Sequence, residues 1–249
     1  GAGKSTLIKV LSGIHASGSY EGQVLVGGQP VAFRSIADAE AAGIAVIYQE
    51  LALIGAMTVA ENVFLGAEPR RGALIDWHKM YADTRELLRD YDLTLDPTAR
   101  VADLGVGQQQ LVEIVKALAK NSKILLLDEP TAALTETEVE RLLHIVGGLR
   151  QRGITCVYIS HKLDEVLEIA DRITVLRDGE GVCTLAAGET GKDEVIRHMV
   201  GREIVDFYPR ERIEPGAPLL KVEGLSVAAE GVEVLRNISF EVRAGEVLG

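Results

Sequence analysis

At 249 residues and 47% hydrophobic, the chain can bury one sizeable core, or one core and part of another. A run of roughly 18 apolar residues is nowhere found, which excludes a membrane-spanning helix within it. The net charge of −11 argues against a broad nucleic-acid surface, because neutralising phosphates takes an excess of Lys and Arg.

Short β-branched runs alternate with amphipathic segments, the pattern of an α/β fold with a largely parallel sheet. The chain opens GAGKSTLIKV, and TLIKVLSG reads as a helix ending at Gly13. QVLVGGQPVAF predicts a hairpin turning on Gly27-Gly28, and GIAVIYQ a strand ending at Gln49. T-V-A-E at Thr58 is a capping box, and residues 58 to about 100 carry mostly helical periodicity, read as a helical insertion. GQQQLVEIVKALAK places Leu111, Val115 and Leu118 on one helical face. KILLLDE is a continuous apolar strand of the kind buried on both faces, and ITCVYIS reads as the next buried strand. Between them, Thr135 and Glu138 form a second capping box before ERLLHIVGGLRQ, which stops at Gly153. KLDEVLEIA predicts a helix, RITVLRDGEGVCTL a hairpin turning at Asp178-Gly179, and KDEVIRHMVG a short helix capped by Gly201. Cys156 and Cys183 stand singly in apolar stretches and are read as reduced core thiols.

Beyond Gly201 the texture changes. REIVDFYPRERIEPGAP is rich in charge and Pro and lacks periodicity, so 202–218 is expected to be a linker. From Leu219 strand-like pieces begin again and run to the end on Gly-Glu-Val-Leu-Gly. The expected organisation is a tandem protein clipped at both ends: a first domain over 1–201 without its leading strands, with a helical insertion at about 58–105, then the N-terminal strands of a second domain over 219–249.

Five stretches carry chemistry. In GAGKST, successive backbone N–H groups feeding a helix start form a concave anion site, with Gly1, Ala2, Gly3, Lys4, Ser5 and Thr6 as the phosphate-binding candidates. Lys4 would reach the β- and γ-phosphates, and the Ser5 hydroxyl would ligate Mg²⁺. Asp128 and Glu129 close an apolar strand at the sheet edge where open parallel sheets bind ligands, with Asp128 a metal-ligand candidate and Glu129 a candidate to polarise a water. Gln49 and His161 each follow directly on a strand and would stand at the same edge. The Gln49 amide can serve metal and water without adding charge, and the His161 imidazole can bond a γ-phosphate. DLGVGQQQ is a Gly-bearing turn opening a helix, readable either as an anion-ready helix start or as a plain cap.

Taken in this order the motifs resemble those of the ABC-transporter ATPases: phosphate loop, Gln loop at Gln49, signature turn at Leu104, Gly105, Val106, Gly107 and Gln108, Asp-Glu strand, Thr131 to Thr135 after it, and switch His161. LGVGQ departs from the family's usual LSGGQ by lacking the Ser hydroxyl. GSYEGQV, YQELALI, TVAENVFLG and YISHKLDEV look like the monosaccharide importers whose two ATPase halves share one polypeptide, and GSYEG with LGVGQQQ look most like the D-xylose members. The resemblance implies a P-loop NTPase fold with a mostly parallel core sheet, an antiparallel β subdomain and a helical insertion. It implies an ATPase that powers import of a monosaccharide, D-xylose before ribose or galactose, using ATP and Mg²⁺. Glu129, His161 and Gln49 would act in hydrolysis, and Ser5, Gln49 and Asp128 on the metal. Implied partners are a membrane permease (a dimer), a periplasmic sugar-binding protein and a second ATPase half, without nucleic acid. The implied location is peripheral, on the cytoplasmic face of the inner membrane. A tandem ATPase acting on ribosomes shares these motifs but favours long charged helical arms, which this chain lacks.

Overall fold

A computed structural model describes residues 2–201, 216–229, 232–246 and 248, which fall into two units, Gly1–Arg202 and Glu203–Gly249. Gly1 and residues 202–215 of the expected linker lie outside the described residues.

In the first unit, α1 (Lys4–Leu11) follows the Gly-rich opening and buries Ile8. β1 (Val24–Val26) and β2 (Gln29–Val31) form the expected antiparallel hairpin around Gly27-Gly28. A helix that sequence reading passed over comes next: α2 (Ile36–Ala41), where Ser35 Oγ accepts from the Asp38 N–H and Asp38 Oδ2 accepts from the Ser35 N–H at 3.1 Å. So short a helix shows no hydrophobic period, and only its Ser-x-x-Asp cap could announce it. β3 (Ile44–Ile47) stops short of the predicted Gln49 because its ladder ends at Ile47. α3 (Val59–Val63) starts on the Thr58 capping box, with the Thr58 N–H donating to Glu61 Oε2 at 2.6 Å. The stretch read as mostly helical also holds a small hairpin, β4 (Arg70–Arg71) and β5 (Leu74–Ile75), ahead of α4 (Trp77–Asp90). Two-residue strands cannot show alternation, so the helical period of their surroundings hid them.

A single 3-10 turn at Val101–Asp103 leads into α5 (Val106–Ala119), which buries Leu111, Val115 and Leu118 as its periodicity predicts. β6 (Ile124–Asp128), α6 (Glu136–Gln151), β7 (Thr155–Ile159), α7 (Leu163–Ile169), β8 (Arg172–Arg177), β9 (Glu180–Ala186) and α8 (Lys192–Val200) complete the unit. β8 and β9 form the predicted antiparallel hairpin, and α8 ends on Gly201. Cys156 and Cys183 are free thiols, and burial pushes the Cys156 pKa up to about 11.

The parallel sheet has the order β3-β6-β7. Ile44↔Ile124 through Ile47↔Leu127 sets one register, and Ile124↔Thr155 through Asp128↔Ile159 the other. β6 is the middle strand, and its alternating side chains feed two cores. Leu125 and Leu127 pack with Val112 and Val115 of α5 and Leu142 and Val146 of α6, whereas Leu126 packs with Phe33, Ala39 and Ile44. All three leucines are at most 1% exposed, so KILLLDE is buried on both faces as read. ITCVYIS is not. Among the described strands β7 pairs only with β6, and its Thr155 and Val157 are exposed.

In the second unit, β10 (Pro218–Ala229) and β11 (Val232–Arg243) form an antiparallel pair with several register shifts.

One buried amide fixes the path of the chain after Gln49. Asn62, 0% exposed, accepts from the Ile54 N–H at 2.8 Å and donates to the carbonyls of Ile54 and Thr58 at 3.0 Å each. Asn62→Ala strips partners from buried backbone groups and should cost about 2–3 kcal/mol in equilibrium urea unfolding; a loss under about 0.5 kcal/mol would mean the segment finds other partners.

Candidate functional site

Because β3, β6 and β7 run parallel, their C-terminal ends share one edge, and the chain leaves each strand there. Glu129 is the first residue beyond β6. Its N–H donates to the Ile159 carbonyl of β7 at 2.9 Å, and it sits at φ +48, left-handed for a residue with a Cβ. Such a backbone costs on the order of 1 kcal/mol and persists only where neighbours over-determine it. The Glu129 carboxylate meets Lys4 Nζ at 3.7 Å through one oxygen and His161 Nδ1 at 3.3 Å through the other. Glu129 is 24% exposed and His161 60%, so solvent and small solutes reach the cluster.

Lys4 is delivered by α1. Gly3 precedes it at φ +91, a conformation a side chain would strain, and an added Cβ would stand 3.4 Å from Gly179 Cα. The β8–β9 turn braces this loop from that side, with the Gly179 N–H donating to the Ala2 carbonyl at 3.3 Å. No side chain caps α1 and its first turn holds no acid, so its positive dipole end is left uncompensated by local side chains, with Ser5 and Thr6 exposed on the same turn. This is an arrangement an anion satisfies.

Asp128, the last residue of β6, has its pKa raised by burial and by the Glu129 charge, with Lys4 only partly opposing. Its carboxylate therefore carries charge that the protein alone leaves under-compensated. Gln49 lies two residues beyond the Ile47↔Leu127 pair on β3, as Glu129 does on β6, which places it at the same edge. Among the described residues no cluster of three or more His, Cys, Asp or Glu is disposed to hold a metal. Glu129 is thus joined directly to Lys4 and to His161, Asp128 is coupled electrostatically to Glu129 and Lys4, and Gln49 and Ser5 are placed by their elements alone.

The turn Leu104–Gln108 stands apart. Gln109 Nε2 donates to the Leu104 carbonyl at 2.9 Å, the Gly105 N–H donates to Gln108 Oε1 at 3.3 Å, and no hydrogen bond or ion pair joins the turn to Lys4, Glu129 or His161 among the described residues. Its neighbour is Glu138 at the start of α6, which accepts from the Thr135 N–H at 2.9 Å and from Thr135 Oγ1 at 2.8 Å. Gly107 leaves room for that carboxylate: a Cβ there would stand 2.5 Å from Glu138 Oε1.

Sequence reading did not single out Glu165. It is 6% exposed on α7 and gathers Thr131, Tyr158, Ser160 and Lys162 around one carboxylate. Burial raises its pKa, but the bonds from Thr131, Tyr158 and Lys162 outweigh it and the net shift is down, so it stays ionised. The only sequence signal was an acid on a helix starting just after His161, which reads equally well as a solvated residue.

Residues 1–132 match the family model described as "ABC transporter". The whole chain is 54% identical to the xylose import ATP-binding protein XylG of Moorella thermoacetica and 50% identical to the ribose import ATP-binding protein RbsA 1 of Rubrobacter xylanophilus, spanning 50% and 48% of their lengths. The chain thus spans about half the length of the curated relatives it matches. Among solved structures, a nucleotide-free ATP-binding cassette from an ABC transporter superposes with a TM-score of 0.66 at 27% identity, over 81% of each chain. A dimeric cassette bound to ADP and Pi superposes with a TM-score of 0.61 at 26% identity, over 75% of this chain and 81% of the other. The parallel sheet, the antiparallel hairpins and the helices about them are those of an α/β P-loop NTPase. The chain belongs to the ABC transporter family.

Proposed function

We propose that residues 1–201 form most of one ATP-hydrolysing cassette of a sugar importer, that 202–218 link it onward, and that 219–249 are the leading strands of a second cassette. The observation that carries this is the convergence of Lys4, Glu129 and His161 on one sheet edge beside the uncapped start of α1. The second-cassette reading is supported by the hairpin β10–β11, whose Leu219, Leu225, Val234 and Ile238 stay exposed. A lone two-stranded pair of this kind is marginal in water and calls for more chain to pack against.

In this reading the amides of Gly3 to Thr6 and the Lys4 ammonium take the phosphates of ATP, drawing Lys4 from Glu129 towards the nucleotide. Glu129 then orients and polarises a water, and His161, on its other oxygen, bonds the terminal phosphate. The site fits Mg²⁺: Ser5, Gln49 and Asp128 offer oxygen donors, and the under-compensated charge on Asp128 suits a hard cation that takes its remaining ligands from phosphate and water. When bound, that ion would neutralise charge developing on the phosphates. The Leu104–Gln108 turn, unconnected to this cluster, would serve the nucleotide of the other cassette.

The sugar we assign is D-xylose, on relatives named for xylose import at 54%, 49% and 51% identity. Ribose is the second reading, because relatives named for ribose import reach 50% and 52%. The partners would be a permease and a sugar-binding protein, with the cassette peripheral on the cytoplasmic face of the inner membrane. No described helix is long and apolar enough to cross a membrane.

In the full-length protein, Glu129→Gln should keep ATP affinity while steady-state phosphate release falls at least about tenfold; undiminished release would remove Glu129 from the hydrolytic role. Lys4→Ala should weaken ATP binding at least about tenfold by equilibrium titration, and unchanged affinity would refute the phosphate-loop assignment. Deleting the full-length gene and following labelled sugars would name the cargo: xylose uptake should be lost and ribose uptake kept, the reverse result favouring the second reading.

A further inference from the structure

We propose that Glu165 positions the hydrolytic pair, tying the turn that follows Glu129 to the turn that carries His161 so that the imidazole stays opposite the Glu129 carboxylate. This rests on the ATP-hydrolysing reading above.

The two turns leave neighbouring strands and share one backbone bond, from the Glu129 N–H to the Ile159 carbonyl. Past that point the sheet no longer holds them together, and Glu165 does. Its Oε2 accepts from Thr131 Oγ1 at 2.7 Å, Tyr158 Oη at 2.7 Å and Ser160 Oγ at 3.3 Å. Its Oε1 pairs with Lys162 Nζ at 3.2 Å, and Lys162 Nζ also donates to the Thr131 carbonyl at 3.3 Å. Ser160 Oγ in turn accepts from the Lys162 N–H at 2.9 Å. Both chain neighbours of His161 are therefore anchored to one carboxylate, and so is Thr131, two residues after Glu129.

Thr131 is 2% exposed and Glu165 6%, so the bond between them is sheltered from competition by water. A buried carboxylate is costly unless fully satisfied, and this one is satisfied only while both turns hold their places. The partners of Glu165 are Thr131, Tyr158, Ser160 and Lys162, and none is Lys4, Ser5 or Asp128, so its loss should fall on turnover and leave nucleotide affinity intact.

The test uses full-length protein, ATP and three readouts: kcat, ATP Kd by equilibrium titration, and coupling to His161. Glu165→Gln should lower kcat at least about tenfold with Kd changed less than about threefold. Added to His161→Ala, it should cost little further, because Glu165 acts through that residue. Thr131→Val should reproduce the loss and Thr131→Ser rescue it, a pair that carries the test should Glu165→Gln fold poorly. Independent, multiplying losses in the double variant, a parallel loss of ATP affinity, or Thr131→Ser as slow as Thr131→Val would each overturn the proposal. Absence of phosphate release from the unsubstituted protein would overturn the ATPase reading itself, whereas normal release there and in Glu165→Gln would refute the positioning role alone.

Discussion

Pairing of β6 on both sides, in parallel, is the constraint on which the rest depends. Leu125, Leu126 and Leu127 are sealed on both faces of the sheet, so a one-residue slip of β6 would exchange its two cores. With that register held, the direction of three strands is common and their ends fall at one edge. Glu129 reaches its left-handed backbone because Ile159 of β7 waits for its N–H, and Ile159 is there because Asp128 pairs with it. The chemistry at the edge is thus set by apolar side chains that never touch it.

Departures from local rules occur along the first unit, since α5 to α8 also start without a side-chain cap and Asp92, Asn121 and Asp178 also have positive φ, but three kinds of departure meet at this edge. Ser35, Thr58 and Asp76 each cap a helix start. α1 has no cap, Glu129 has an unfavourable φ, and Asp128 holds charge that burial and a like-charged neighbour oppose. Each departure costs some stability; an anion would offset the uncapped start of α1 and a cation the charge on Asp128, whereas the Glu129 backbone is held by the sheet. Coincidence of three such departures within one cluster is what a binding site looks like before anything is known of its ligand.

Long buried elements were legible in the sequence and short or tertiary features were not. KILLLDE and GQQQLVEIVKALAK announced β6 and α5 because a continuous apolar run and a helical period survive without context. α2 and the β4–β5 hairpin were missed because too few residues carry any period. β7 read as fully buried because β-branched composition reports strand, not the number of its neighbours. Of the site, Lys4, Glu129 and His161 could be guessed from their places at element ends. Glu165 could not, since its bonds to Thr131, Tyr158 and Ser160 span 34, 7 and 5 residues and exist only once β6, β7 and α7 are packed.

Two helix starts in this chain look alike in sequence, each Gly-bearing and each ready for an anion, yet their surroundings differ. α1 has Lys4 beside it and no acid in its first turn, so an incoming phosphate meets positive potential from side chain and backbone alike. α5 has Gly107 pressed against Glu138, whose pKa is lowered chiefly by the Thr135 N–H and hydroxyl and which stays ionised. A phosphate approaching α5 therefore meets a carboxylate, and the turn lacks the hydroxyl that a Ser in place of Val106 or Gly105 would add. Such a start is poorly suited to capture an anion alone and better suited to contact one already neutralised by Lys and metal in another site. That asymmetry supports the proposal that the α1 end binds phosphate first and that the Leu104–Gln108 turn serves a nucleotide held elsewhere.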